Sequence, residues 1–182
     1  MSGLHLPAAE AGPATAVDPS VVTAITQFLG HEARLLDEGR LEDWVGLLSP
    51  NICYEVPIRQ AGKHGSTDEF PSGAFRVRDN LSMILKRIER TGTGHGWAED
   101  PPSRTIRNVG SICVEATDSP HNYRVHSTSL IYRERAIDEA WDLIPVRRYD
   151  IIGATDGKWI LEHRRIILAQ RILRTPNLGI FI

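Results

Sequence analysis

The chain has 182 residues, of which 41% are hydrophobic and 24% charged; that suffices for one core burying roughly 70% of the unfolded surface, with no disulfide or structural metal required. Lys and Arg number 21 against 23 Asp and Glu, a net charge of −2 without any lysine cluster, which excludes the electrostatic footprint of a nucleic-acid binder. No apolar run approaches the ~20 residues of a membrane span, the start lacks a secretory signal, and two distant cysteines, Cys53 and Cys113, make no disulfide framework, so a cytoplasmic protein with reduced thiols is expected.

Residues 1 to 17, rich in Ala, Gly and Pro without periodicity, read as a flexible arm ahead of a single domain over 18 to 182. Asp18-Pro19-Ser20 supplies an N-cap with Pro at the first helical position, and Val21, Val22, Ile25, Phe28, Leu29, Leu35 and Leu36 keep to one helical face up to Gly39. Leu41, Trp44, Val45 and Leu48 predict a second short helix, stopped by Pro50. In "ICYEVPIR" the period falls to two, giving a first strand, and Pro57, which donates no ladder hydrogen bond, argues for an edge position. After a loop over 60 to 75, "FRVRDNLSMILKRIER" predicts a third helix through Val77, Leu81, Ile84, Leu85 and Ile88, ending before Gly92.

Four extended segments follow, roughly 105 to 116, 122 to 135, 141 to 153 and 158 to 171, joined by the turn sequences "TDSPHN" and "TDGK", which is an antiparallel meander. The apolar parity changes between Ile106, Val109 and Ile112, predicting a bulge near Gly110 and a curved sheet. Helices first and long strands later give an α+β class with the helices packed on one face of the sheet.

The chemistry is sparse. Neither cysteine has a His at Rieske spacing, no local His pair supports an iron triad, and the seven histidines are expected to bind no metal. "GTGHG" follows a helix and precedes Pro101-Pro102, so no phosphate nest is set up. Glu32 and Asp37, with Arg34 between them, fit either an inward acid pair or a solvated helix face, and the solvated face is favoured. Tyr54, His126, Tyr132, Asp150 and His163 lie on predicted strands, where some could share a pocket, although half-buried and satisfied side chains are the commoner outcome. The arginines Arg133 and Arg135, Arg147 and Arg148, Arg164 and Arg165 crowd the last strands and suit either a subunit contact or a solvated sheet face. "RTGTGHGWAEDPPSRTIRNV", over 90 to 109, reads as a shaped connector: its glycines release the chain from the third helix and its double proline fixes an extended entry to the next strand.

The segments "FLGHEARLLDEGRLEDWVGLLSPNICYEVP", "RIERTGTGHGWAEDPPSRTIRNV", "YRVHSTSLIYRERA" and "KWILEHRRIILAQRILRTPNLGIFI" occur in an order and spacing that resembles the small, or β, subunit of bacterial aromatic-ring-hydroxylating dioxygenases, over about residues 22 to 182. The resemblance is carried by Glu32-Ala33 with Leu36-Asp37 and Trp44, by "WAEDPPSR" ahead of Asn108-Val109, and by Trp159, Arg164-Arg165, Leu168 and Asn177-Leu178. It departs at Tyr149, where many relatives carry an acidic residue, in the lead to Asn108, and in the loop from Gln60 to Gly73.

The resemblance implies an NTF2-like (cystatin-like) curved sheet and a non-catalytic chain with no cofactor of its own. It also implies a trimer of this chain within an α3β3 assembly, whose α subunits carry the Rieske cluster and mononuclear iron. The whole would cis-dihydroxylate an aromatic ring with O2 and NADH-derived electrons. Trp97, Glu99, Asp100 and Arg104, together with Arg147, Arg148, Arg164 and Arg165, are the candidate contact residues. Two rivals stand beside this reading. One is a stand-alone NTF2-like lyase or isomerase using an acid-base pair drawn from Tyr54, Asp37, His126 and His163; the other is a small-ligand-binding protein without chemistry.

Overall fold

Asp18 caps the first helix as its sequence suggests, its Oδ1 accepting from the Ser20 amide at 2.7 Å, and α1 runs Pro19–Asp37. The computed structural model describes residues 17–59, 70, 73–92 (of 91 and 92 only the backbone), 102–135, 141–170 and 178–182. Residues 1–16 of the expected arm, most of the expected loop over 60 to 75, and Trp97, Glu99 and Asp100 lie outside them.

Helix α1 ends in a Schellman motif: the Arg40 amide donates to the Leu35 carbonyl at 2.9 Å and the Gly39 amide to that of Leu36 at 3.4 Å, with Gly39 at φ 68°. A Cβ there meets no neighbour but must sit in the left-handed region. Gly39→Ala is therefore expected to cost about 1 kcal/mol, read as a fall of a few degrees in thermal midpoint.

Helix α2 is Leu41–Val45, and the chain enters β1 at once, over Leu48–Pro57, so Leu48 begins a strand instead of ending a helix. Phe75–Asp79 form a further strand, β2, that the sequence reading placed in the third helix. Val77 lies four residues before Leu81 and mimics a helical stripe, but Asn80 supplies the true start: its Oδ1 accepts from the Met83 amide at 3.0 Å, and α3 runs Leu81–Gly92.

Strands β3 (Arg104–Ala116), β4 (Asn122–Glu134), β5 (Trp141–Thr155) and β6 (Lys158–Leu168) form the expected antiparallel meander. Asp156 and Gly157, at φ 51° and 74°, make the tight turn between β5 and β6. The bulge falls where the parity change puts it, with the β3–β4 register shifting between Gly110 and Cys113 and Ser111 at φ 49°.

The sheet order is β2-β1-β6-β5-β4-β3, with β1 parallel to β6. Pro57 therefore does not mark an edge strand. It sits at the end of β1, beyond the last β1–β6 partners (Glu55 and Arg165), where no amide is needed on that side.

Helix α1 lies against β3, and α3 against β1 and β2. Ile25, Phe28, Leu29 and Leu36 of α1, with Ile84 of α3, pack on Val125, Ile131, Ile144, Val146, Ile152, Leu161 and Ile166 of the sheet. Each such side chain contributes roughly 1.5–3 kcal/mol by leaving water. One face of the curved sheet is thus covered, and the described helices leave the other bare.

Candidate functional site

Alternation along a strand sends adjacent residues to opposite faces, and this divides the adjacent pairs Arg147-Arg148 and Arg164-Arg165. Arg148 and Arg164 point inward and are 1% and 0% exposed, while Arg147 is exposed and Arg165 half-buried on the outer side. The two inward arginines are enclosed by their own chain, so they do not reach the surface where a subunit contact was expected. Arg133 is also buried inward, its Nε donating to Ser103 Oγ at 3.0 Å.

Between sheet and helices Arg164 forms two forks. Its Nη1 and Nη2 donate to Glu32 Oε1 and Oε2 at 2.6 and 2.8 Å, while Nε and Nη2 donate to Asp150 Oδ1 and Oδ2 at 2.9 and 2.8 Å. Arg148 adds a second cation, with Nη1 3.5 Å from Glu32 Oε2 and Nε donating to Ser127 Oγ at 3.2 Å. Trp44 Nε1 donates to Glu32 Oε1 at 3.1 Å. The cluster holds two carboxylates and two guanidiniums, all at most 1% exposed, so its charges cancel within the core.

Burial alone would push the Glu32 carboxyl up, but Arg164 and Arg148 outweigh it and hold it down at about 2. Burial likewise opposes the charge on Arg164, yet Asp150 and Glu32 keep that guanidinium firmly protonated. Glu32 is therefore inward, and not on the solvated helix face that was favoured. The signal was present: it follows Phe28 and Leu29 by four and three residues, on the buried stripe of α1.

Asp37 also turns to the protein, five residues further along α1. It accepts from Thr105 Oγ1 and the Arg107 amide, each at 2.9 Å, and pairs with the Arg107 guanidinium. Glu32 thus pairs with Arg164 and Arg148, and Asp37 with Arg107.

Phe181 and Ile182 pack into the interior beside the Glu32 cluster. Phe181 stacks on Trp44 with ring centroids 4.5 Å apart, meets Tyr54 edge-on at 6.3 Å, and carries Arg87 over its face at 4.4 Å. Its carbonyl accepts from Arg107 Nη2 at 2.6 Å. Tyr54 Oη donates to the Ile182 carbonyl at 3.0 Å and accepts from the Ile182 amide at 2.8 Å; burial pushes this phenol up. No sequence pattern pointed to Phe181 and Ile182 as interior groups, because Trp44, Tyr54, Arg87 and Arg107, whose side chains they meet, lie between 74 and 137 residues away.

The acid-base candidates are not brought together. Tyr54 and Asp37 face inward, whereas His126 and His163 lie on the outer face, His126 edge-on to Tyr149 at 4.9 Å. His163 Nε2 is 3.0 Å from Glu55 Oε1, and that contact holds the Glu55 carboxyl low. Cys53, Glu55 and His163 have their ligand atoms within 4.8 Å of one another. Burial, then Glu55, push the Cys53 thiol up.

The outer face has an apolar centre. Register aligns Arg104, Glu134 and Trp141, then Ile106, Tyr132 and Leu143, then Asn108, Leu130 and Pro145. Ile106 and Trp141 are 67% and 61% exposed, Leu130 and Leu143 more than two-fifths, and Tyr132 packs against Trp141 with centroids 5.8 Å apart. Exposed Arg104 lies at one end of this patch and exposed Arg147, beside Thr128, at the other.

Among known proteins, the family described as Ring hydroxylating beta subunit matches residues 31–175. The β subunit of N,N-dimethyl phenylurea N-demethylase from Sphingobium sp. (strain YBL2) is 36% identical over 156 residues, 86% of this chain and 88% of that one. The β subunit of biphenyl 2,3-dioxygenase from Rhodococcus jostii (strain RHA1) is 31% identical over 170 residues, 91% and 90% of the two chains. A solved chain of naphthalene 1,2-dioxygenase with indole bound in the active site superposes with a TM-score of 0.82 at 20% identity, over 92% of this chain and 89% of that one. The β subunit of benzoate 1,2-dioxygenase from Burkholderia mallei ATCC 23344 gives 0.68 at 16% identity, over 92% and 99%. The curved six-stranded sheet with helices on one face is the NTF2-like architecture expected from the sequence.

Proposed function

Because the chain belongs to the ring-hydroxylating dioxygenase β-subunit family, we propose that it does no chemistry itself and serves as the small subunit on which iron-bearing α subunits assemble. The Rieske cluster and the mononuclear iron belong to that partner, and the assembly is α3β3, built on a trimer of this chain in the cytoplasm. The holoenzyme cis-dihydroxylates an aromatic ring with O2 and NADH-derived electrons. β subunits 36% and 31% identical to this chain serve an N-demethylase and a biphenyl dioxygenase, so the choice of substrate rests with the α partner.

The observation that carries this reading is the packed interior around Glu32 and Tyr54; the hollow between α1 and β3 that Asp37 and Arg107 line is open to solvent, and its carboxylate is paired with the arginine. Where a stand-alone enzyme of this architecture would keep a polar cavity, Trp44, Tyr54, Phe181 and Ile182 pack together and the buried carboxylates are neutralised by arginines. The outer face, left uncovered by the described residues, supports it from the other side: an apolar centre with arginines at its ends is the composition of a subunit contact. Trp97, Glu99, Asp100, Arg104, Arg147 and Arg165 are assigned to contacts or their rims, with Arg104 and Arg147 bounding the apolar patch.

The test is reconstitution. Iron-bearing α subunit produced with this chain should yield a soluble, active oxygenase, and α produced without it should not. Assembly and turnover unchanged by omitting the chain, or turnover by the chain alone, would overturn the reading. In the reconstituted enzyme Tyr54→Phe and Asp37→Asn are expected to leave kcat/KM within about two-fold of wild type, since neither side chain acts on substrate; losses of the order of 100-fold, as follow from removing a general acid or base, would favour the pocket enzyme.

A further inference from the structure

On the outer face, away from the apolar patch, the sheet brings together three side chains that no local spacing could reveal. Cys53 and Glu55 lie two apart on β1 and so share a face, and the β1–β6 register sets Cys53 directly opposite His163. Glu55 Oε1 is 3.0 Å from His163 Nε2, and the thiol, carboxylate and imidazole ligand atoms all lie within 4.8 Å of one another. Glu55 is buried, while Cys53 and His163 are half-buried, leaving a path for an ion. Two ordinary strands hold the set, so the ligands are positioned before any ion arrives.

We propose that Cys53, Glu55 and His163 form a zinc-binding site that clips β1 to β6. Thiolate, imidazole and carboxylate are the donors zinc prefers. Tetrahedral zinc places sulfur and nitrogen ligands about 3.5 Å apart, within reach of small side-chain rotations from the observed spread. Thiolate and carboxylate together neutralise the ion. Arg78, opposite Glu55 on β2, and Arg165, its β6 neighbour, both bear on the carboxylate, so the local charge with zinc bound is that of the two arginines. The fourth position is left to water.

The clip has a structural reason. β1 and β6 form the parallel pairing of the described sheet, and their ladder is interrupted between Leu48 and Cys53 before it resumes at Cys53 and His163. The site lies where pairing restarts. It extends beyond the assembly role, because its failure would leave that role intact.

The experiment is a cobalt titration of the full chain, reduced and under nitrogen, with zinc as competitor. Saturable binding of one cobalt ion per chain is expected, with a near-ultraviolet thiolate-to-cobalt charge-transfer band and tetrahedral visible bands, all abolished by added zinc. Cys53→Ser should remove the charge-transfer band, His163→Ala and Glu55→Gln should weaken binding at least ten-fold, and Cys113→Ser should change nothing. Circular dichroism confirms that each variant is folded. Absence of saturable binding, a band that survives Cys53→Ser, or a signal lost with Cys113 would overturn the proposal.

Discussion

Replacing Arg164 with methionine is expected to lower the unfolding free energy by roughly 3–5 kcal/mol, because the substitution leaves Glu32 and Asp150 buried with Arg148 as their remaining cation. For a domain of this size that is a fall in thermal midpoint of roughly 6–20 °C. Arg148 cannot take over: it stands 3.5 Å from Glu32, and its Nη2 has no hydrogen-bond partner among the described residues. The magnitude reflects stranded charge more than lost attraction, so removing the charges together should cost less than removing Arg164 alone.

The pH dependence separates this account from simple loss of packing. In the wild type the Glu32 carboxyl sits at about 2 in the folded chain against an ordinary 4.5, so its contribution is complete above pH 4.5 and is lost as pH falls towards 2. In Arg164→Met the same carboxyl, buried with a weaker partner, is pushed upward. It then favours the folded chain when protonated, and the variant's deficit should shrink between pH 7.5 and pH 5. Melting curves of both proteins at those two values check the variant's sign, and wild-type curves between pH 4.5 and 2 check the other; a variant midpoint within a degree or two of wild type at pH 7.5 and pH 5 would mean that the cluster is not desolvated.

The second large effect concerns the outer face. Leu130→Asp and Trp141→Ala are each expected to reduce the share of chain recovered in the mixed complex at least ten-fold, since a central apolar or tryptophan anchor commonly contributes 2 kcal/mol or more to a contact, a factor of about 30. Both side chains are exposed in the isolated chain, so its own stability should move by no more than about 0.5 kcal/mol. Arg104→Ala and Arg147→Ala, at the ends of the patch, should act mainly on association rate and on its salt dependence. Recovery of both apolar variants at the wild-type level would remove this face from the assembly.

Much of the architecture was legible because local chemistry and global packing agree. Asp18-Pro19-Ser20 starts α1 where it should, Gly39 stops it, "TDGK" makes the tight turn, and the parity change around Gly110 marks a real bulge. The misreadings have local causes. Val77 lies at helical spacing from Leu81 although it belongs to a strand, and Pro57 imitates an edge residue because its neighbour β6 pairs no further than Arg165.

The site was less legible, since its contacts join residues 128, 132 and 108 positions apart, in Tyr54 with Ile182, Glu32 with Arg164, and Glu55 with His163. Composition alone made Arg148 and Arg164 resemble their neighbours. Strand parity, applied to Arg147-Arg148 and Arg164-Arg165, would have sent one of each pair inward and found the buried cluster from the sequence.

Native mass spectrometry of this chain co-produced with the proposed α partner tests the assembly role most directly. The expected species contains both chains in equal numbers, three of each, with iron that follows the α subunit. This chain recovered only in multiples of 20.3 kDa, with the α subunit assembled and iron-loaded apart from it, would contradict the account.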